Sequence, residues 1–292
     1  FYERFIKNEE ISLFSPHDVP GLYDAFGTES FDDLYTSYES DGSVPRKTIG
    51  AQELFLDILK ERAETGRLYI MNIDHCNSHS SFLDKVEMSN LCQEITLPTK
   101  PLEHIDDPNG EIALCILSAV NVGKIRDLDD LKVLCDLAVR SLDELIDFQN
   151  YPINAAEIAT KARRSLGIGF IGLAHYLAKN GYDYNDPEAW QLVHNLTEAF
   201  QYYLISATVD LAEEKGACEY SGRTKYGNGI LPIDTYKHDV DEIVPNELHY
   251  DWEDLRLRVK KHGVRNSTLS AQMPSESSSV VSNATNGIEP PR

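Results

Sequence analysis

A chain of 292 residues, 41% hydrophobic and 26% charged, has ordinary globular composition and suffices for one large α/β domain or two small ones. Its formal net charge of −21 leaves nothing to neutralise a phosphate backbone, which argues against broad nucleic-acid binding. It lacks a run of about 18 apolar residues for a membrane span and a charged-then-apolar leader for export; five scattered cysteines fit a reducing cytoplasm better than a disulfide framework.

Read in chain order, the first forty-five residues mix short apolar pieces with turn formers, with helical turns expected at 22–26 and 31–35. Ile49, Leu54, Phe55, Ile58 and Leu59 keep helical spacing within 47–65, and Gly66 is a natural stop. Leu68 to Ile73 reads as a buried strand, and Asn90 to Leu97 as strand-like. Prolines and the run Asp106-Asp107-Pro108-Asn109-Gly110 mark turns, and Ile112 to Val122 reads as a second buried strand. Leu128, Leu131, Leu134, Ala138, Leu142, Leu145 and Ile146 form the stripe of a long helix. Further helices are expected at 155–179, 188–215 and 251–262, with a last strand at 266–271. Strands alternating with long amphipathic helices favour one α/β domain, with a barrel as the leading architecture.

Two motifs invite over-reading. Gly167-Ile168-Gly169-Phe170-Ile171-Gly172 matches the dinucleotide fingerprint by letter, but the preceding residues have a polar, helical period where that fingerprint needs a strand. Small residues at a close helix contact are the preferred explanation. Asp74-His75-Cys76-Asn77-Ser78-His79 carries metal-capable side chains, yet a hydrogen-bonded polar turn is favoured over a metal site.

The most informative segment is Asn90-Leu91-Cys92-Gln93-Glu94, read as a short strand or loop tip of alternating direction. That reading puts the Asn90 amide, the Cys92 thiol and the Glu94 carboxylate on one side. A carboxylate facing the same side of an apolar segment costs free energy unless something uses it. Cys115 lies in the apolar run 112–117 and by sequence alone is most simply core. Cys135 and Cys218 read as structural, and Tyr202-Tyr203 as core on a long helix. Pro274-Ser275-Glu276-Ser277-Ser278-Ser279 opens a helix at Glu276 with Ser275 as cap, so its free N–H groups and hydroxyls suit an anion. An ordinary helix cap is the competing explanation.

Taken together, these residues resemble the catalytic large subunit of class I ribonucleotide reductase, in its aerobic bacterial and phage form. The likeness runs in order through Leu13-Phe14-Ser15-Pro16, Pro20-Gly21-Leu22-Tyr23, Asp74-His75-Cys76-Asn77, Asn90-Leu91-Cys92-Gln93-Glu94 and Leu97-Pro98-Thr99-Lys100-Pro101. It continues through Gly110 to Cys115, Arg163 to Gly169, Gly229 to Pro232, Arg265 to Thr268 and Asn283 to Arg292. The resemblance implies a ten-stranded α/β barrel with a central finger loop, residues 1–292 being the central part of that catalytic domain. Cys92 would carry a thiyl radical, Glu94 would act as general base, Asn90 would hydrogen-bond the ribose, and Cys115 would be one of two reducing thiols. Ser275, Glu276, Ser277 and Ser278 would hold the substrate diphosphate.

The same resemblance implies what lies elsewhere. The radical would come from a di-metal, tyrosyl small subunit, and electrons from thioredoxin or glutaredoxin. The ATP and deoxynucleotide effector sites, the second reducing thiol and the radical-relay tyrosines would belong to other parts of the large subunit, itself a homodimer. No metal or cofactor is expected on this chain, nor nucleic-acid or membrane partners, and alone it should not turn over. A non-catalytic assembly module retaining the fold is the alternative, and a cobalamin or glycyl-radical relative of the same barrel is a weaker third.

Overall fold

In the computed structural model, which describes residues 1–245 and 247–291, the chain divides into two units, Phe1–Cys76 and Asn77–Arg292. The first contains α1 (Tyr2–Lys7), β1 (Glu10–Phe14), α2 (Ser30–Ser40), β2 (Arg46–Gly50) and α3 (Ala51–Thr65). β1 and β2 pair antiparallel from Glu10 opposite Gly50 to Phe14 opposite Arg46. That pairing claims Arg46–Gly50, so the helix expected from residue 47 begins only at Ala51. It ends at Gly66, whose φ of +65° suits glycine. The Tyr35 hydroxyl accepts from Ser12 N at 2.7 Å and donates to Ser12 O at 2.8 Å, docking α2 on the open side of β1.

The strand expected at 68–73 is absent. Residues 67–72 lie outside helix and strand, with Tyr69 and Ile70 exposed, and a helix, α4 (Ile73–His79), follows. A run of β-formers becomes a strand only where an edge pairs with it, which residue pattern alone does not reveal. The polar turn expected at 74–79 is likewise corrected to the body of α4.

The second unit is built on β3 (Ile116–Asn121) and β4 (Leu166–Ile171), parallel from Ile116 opposite Leu166 to Asn121 opposite Ile171. The crossover is made by α5 (Asp130–Phe148) and α6 (Asn154–Arg163). After β4 come α7 (Leu173–Lys179), α8 (Pro187–Lys215), α9 (Pro232–Thr235), α10 (Trp252–His262) and α11 (Glu276–Val281). On the far side of β4, Ile168 N donates to Leu269 O at 2.8 Å and Ala271 N to Ile168 O at 3.2 Å. The last strand expected at 266–271 is thus a single parallel bridge, Ile168 to Ser270.

All six residues of β4 are buried, the continuous pattern of a strand covered on both faces. The single helix expected across 155–179 is therefore corrected: it breaks into α6, β4 and α7. The glycines explain the break. A Cβ on Gly167 would sit 2.5 Å from the Leu117 side chain and 2.9 Å from Cys115 Sγ, and one on Gly169 only 2.4 Å from the Ala271 carbonyl oxygen. These small residues admit neighbouring chain to a strand, not helix to helix. Two of the three glycines lie inside the strand and not in the turn after it, which is not the dinucleotide arrangement.

α5 packs on both strands and on α8 through Leu131, Cys135, Val139, Leu142 and Ile146. The expected stripe was rotated slightly: Leu134 and Leu145 are 37% and 44% exposed. Tyr202 and Tyr203 pack against the core, Tyr202 stacked on Tyr250 with ring centroids 4.7 Å apart. The architecture is mixed α/β, with no closed barrel among the described residues. No helix among them is long and apolar enough to cross a membrane.

Candidate active site

Asn90 and its neighbours form a tight turn, not a strand. Asn90 N donates to Ile95 O at 3.1 Å, Ile95 N donates to Asn90 Oδ1 at 3.1 Å, and Gln93 N donates to Asn90 O at 3.2 Å. Gln93 takes a left-handed φ of +68°, which reverses the chain and breaks the expected alternation. Asn90 and Cys92 are exposed on this turn while Glu94 is half-buried, so the three side chains do not share one strand face. The loop-tip reading fits this geometry; the alternating strand is corrected.

Glu94 and Cys115 do come together. Both line a cavity of about 180 Å³ with Tyr226, Thr268, Ser270 and Ala271. Glu94 Oε2 is buried and has no hydrogen-bond partner among the described residues. Leaving a carboxylate oxygen so is costly and calls for an occupant or a reaction. Burial pushes the Cys115 thiol up to about 12, and the Glu94 charge pushes in the same direction. Cys115 is therefore held protonated near neutral pH, as a thiol that can give a hydrogen. Neither Asn90, Cys92 nor the serine turn lines this cavity.

A larger, mainly apolar cavity of about 930 Å³ adjoins it, sharing His79, Ser80, Tyr226 and Ser270. Its wall includes Glu198, a buried carboxylate satisfied by donation from His249 N, Tyr250 N and Trp252 Nε1.

At the serine turn, Ser275 stands before α11, but its hydroxyl is already engaged. It donates to Asn286 Oδ1 at 2.8 Å and accepts from Gly287 N at 3.0 Å. Ser278 Oγ donates to Ser275 O at 3.1 Å. The reading of the Ser275 hydroxyl as an anion donor is corrected: it clasps residues 286–287. Glu276 and Ser277 are exposed in the first turn. Among the described residues, no group of three or more His, Cys, Asp or Glu side chains is gathered to hold a metal.

The remaining thiols differ sharply in access. Cys135 and Cys218 are buried, with burial pushing them up to about 12 and about 11. Cys76 is half-buried and raised by burial and by Asp74, whereas Cys92 is exposed. With an alkylating reagent near neutral pH, Cys92 should label first, and Cys115 and Cys135 at least about a hundredfold more slowly. Peptide mapping by mass spectrometry checks this; equal labelling of Cys115 and Cys92 would contradict the arrangement.

Sequence reading missed Tyr226, Thr268 and Ser270 as cavity wall, although Thr268 closes one of the quoted motifs. It also missed a buried ion network. Arg163, 2% exposed, donates from Nη1 to Asp84 Oδ2 at 3.0 Å and from Nη2 to Glu111 Oε2 at 2.7 Å. Lys100 Nζ lies 3.0 Å from Glu111 Oε1, an ion pair and not an aligned hydrogen bond. Arg223 Nη2 is 2.8 Å from Asp84 Oδ2. Burial would raise Asp84 and Glu111, but the cations outweigh it: Arg223 and Arg163 hold Asp84, and Arg163 and Lys100 hold Glu111, below the usual carboxylate range. A lowered carboxyl contributes stability that is complete above its unfolded value and lost as pH falls through the folded one, so this network fails in acid.

The profile of the family described as the ribonucleotide reductase barrel domain matches residues 1–292. Over its whole length the chain is 59% identical to the ribonucleoside-diphosphate reductase subunit alpha of Haemophilus influenzae and 58% identical to subunit alpha of ribonucleoside-diphosphate reductase 1 of Escherichia coli K12. Over 99% of its length it is 44% identical to the corresponding subunit of enterobacteria phage T4. The chain spans 39% of the length of each of these relatives. A profile match from first residue to last, joined to such identities, leads to one assignment: the chain belongs to the ribonucleotide reductase barrel-domain family.

Proposed function

We propose that this chain is the central part, residues 1–292, of a ten-stranded catalytic barrel that reduces ribonucleoside diphosphates to 2′-deoxyribonucleoside diphosphates. The observation that carries the reading is the orphaned Glu94 carboxylate oxygen beside the protonated Cys115 thiol in one small cavity. In this reading the turn at Asn90–Glu94 is the finger-loop tip. A thiyl radical on Cys92 takes the ribose 3′-hydrogen, and the S–H and C–H bonds are close enough in strength for its return. Glu94 accepts the 3′-hydroxyl proton, which assists departure of the 2′-hydroxyl as water. Asn90 holds the ribose. Cys115 and a second thiol then supply two electrons and end as a disulfide.

The diphosphate is assigned to the Ser275–Ser278 turn through its backbone N–H groups and the Ser277 hydroxyl, with Ser275, Glu276 and Ser278 framing it. The radical would be generated on a separate di-metal small subunit, thioredoxin or glutaredoxin would re-reduce the thiols, and ATP and deoxynucleotide effectors would act elsewhere on a dimeric large subunit. The setting would be the cytoplasm.

The test is cytidine diphosphate reduction by the chain within its complete large subunit, with the small subunit and a dithiol. Deoxycytidine diphosphate formed in step with dithiol oxidation supports the reading. Inactivity despite confirmed assembly would replace it with a non-catalytic assembly module.

A further inference from the structure

The segment between Asp84 and Glu111 holds Asn90, Cys92 and Glu94, and within it the described residues form no helix and no strand. Its placement therefore depends on its two ends. The upstream end is pinned by Asn77, whose Nδ2 donates to Val86 O at 2.9 Å while Val86 N donates to Asn77 Oδ1 at 2.8 Å. The downstream end closes through Lys100 N to Glu111 O and Glu111 N to Lys100 O, both 3.1 Å. Two arginines reach both ends: Arg223 pairs with Asp84 and stands 4.0 Å from Glu111 Oε1, but only Arg163 hydrogen-bonds both carboxylates among the described residues. Arg163, the last residue of α6, binds Asp84 and Glu111 at once. Its guanidinium lies 5.0 Å from the Tyr220 ring centroid, and Arg223 lies 4.0 Å from the same centroid.

We infer that Arg163 is a positioning residue that closes the base of the loop carrying the reactive turn, and so sets Glu94 against Cys115. The inference rests on the function proposed above. The chemistry favours arginine at this point. A planar fork can hold two carboxylates in fixed directions, and lysine, a point charge, can hold one well. Glu94 lies downstream of Asp84, and Cys115 follows Glu111 by a short run outside helix and strand whose Ile112 N donates to Ala155 O. Letting go of either carboxylate frees one of the two cavity-lining groups to drift from the other. Among the described residues Arg163 makes no hydrogen bond or ion pair with Glu94 or Cys115; it acts through the loop base.

The decisive variant is Arg163→Lys in the complete subunit, which keeps the charge and removes the fork. Amide hydrogen exchange over residues 85–97 should speed up about tenfold or more while α5 and α8 exchange as in the parent. In the reductase assay kcat should fall by a similar factor, with KM for the diphosphate within about twofold. Unchanged exchange in the loop, or acceleration shared equally by α8, would overturn the inference. Should Arg163→Lys not fold, Asp84→Asn cuts the upstream arm for both Arg163 and Arg223, and Arg223→Gln cuts it for Arg223 alone; faster loop exchange in the first and not in the second supports Arg163, and equal exchange in the two overturns it. If the parent subunit itself reduces no diphosphate, the proposed function fails, while the exchange comparison still rules on Arg163.

Discussion

Cys92→Ser in the complete subunit should lower ribonucleoside-diphosphate reduction by more than about a thousandfold, because what survives loss of a reacting group comes only from binding and fixed polar contacts. An O–H bond is much stronger than an S–H bond, so serine cannot pass a hydrogen atom to and from a sugar carbon. The structural cost should be slight. Cys92 is exposed on a turn whose hydrogen bonds come from Asn90, Gln93 and Ile95, and serine leaves those bonds in place. Unfolding free energy should stay within about 0.5 kcal/mol of the parent, as for ordinary surface substitutions. Steady-state reduction and a denaturant titration on the same preparation separate the two effects. A variant that keeps a tenth of the activity would remove Cys92 from the chemistry.

The largest stability effect should come from Asp143→Ala. Asp143 is buried on α5, its side chain 1% exposed. Its Oδ1 accepts from Arg164 Nε at 2.6 Å and from Asn266 Nδ2 at 3.1 Å, and its Oδ2 from Arg265 Nε at 3.2 Å. Asp147 takes the other side of Arg164, from Nη1 at 3.0 Å and Nη2 at 2.8 Å. Removing the Asp143 side chain leaves a buried arginine whose remaining ionic partner is the exposed Asp147, and breaking such a pair costs about 3–5 kcal/mol. The midpoint of chemical denaturation should fall accordingly. Asp143→Asn should lie between, since it keeps an acceptor for Arg164 and loses the charge. A loss under about 1 kcal/mol for the alanine variant would show that solvent reaches Arg164 more easily than its burial implies.

The motif Arg265-Asn266-Ser267-Thr268 shows what the sequence could and could not convey. Its arginine and asparagine serve this stability network, and its threonine lines the candidate cavity. Four neighbouring letters divide between architecture and chemistry, and nothing in their order marks the division. The helices were legible because an amphipathic stripe declares itself locally: α5, α8 and α10 fall close to their expected spans. β4 was not legible. Its run Leu-Gly-Ile-Gly-Phe-Ile is short, uniformly apolar and preceded by a helical pattern, so periodicity carried the helix too far. What decides it is the approach of Leu117, Cys115 and Ala271, residues distant in the chain.

The site was half legible. Glu94 and Cys115 meet in the cavity, but the alternation that placed Asn90, Cys92 and Glu94 on one face assumed an extended backbone. The Asn90 side chain, accepting from Ile95 N, makes a turn instead. The serine turn was read correctly as the start of a helix. The use of Ser275 by Asn286 and Gly287 depends on a return of the chain that local pattern does not encode.

Arg163 and Arg164 are adjacent in sequence yet serve opposite neighbours, one the loop base and the other α5. Arg164 manages this by leaving the helix with a φ of +48°. Consecutive helical residues differ in direction by about 100°. A one-residue insertion or deletion within α6 would therefore swing both guanidiniums off their carboxylates together, whereas one in the exposed stretch around Gly181 would move neither. In the history of such a gene, length changes should have accumulated in surface turns and stayed out of this helix, even where single-letter replacements are tolerated.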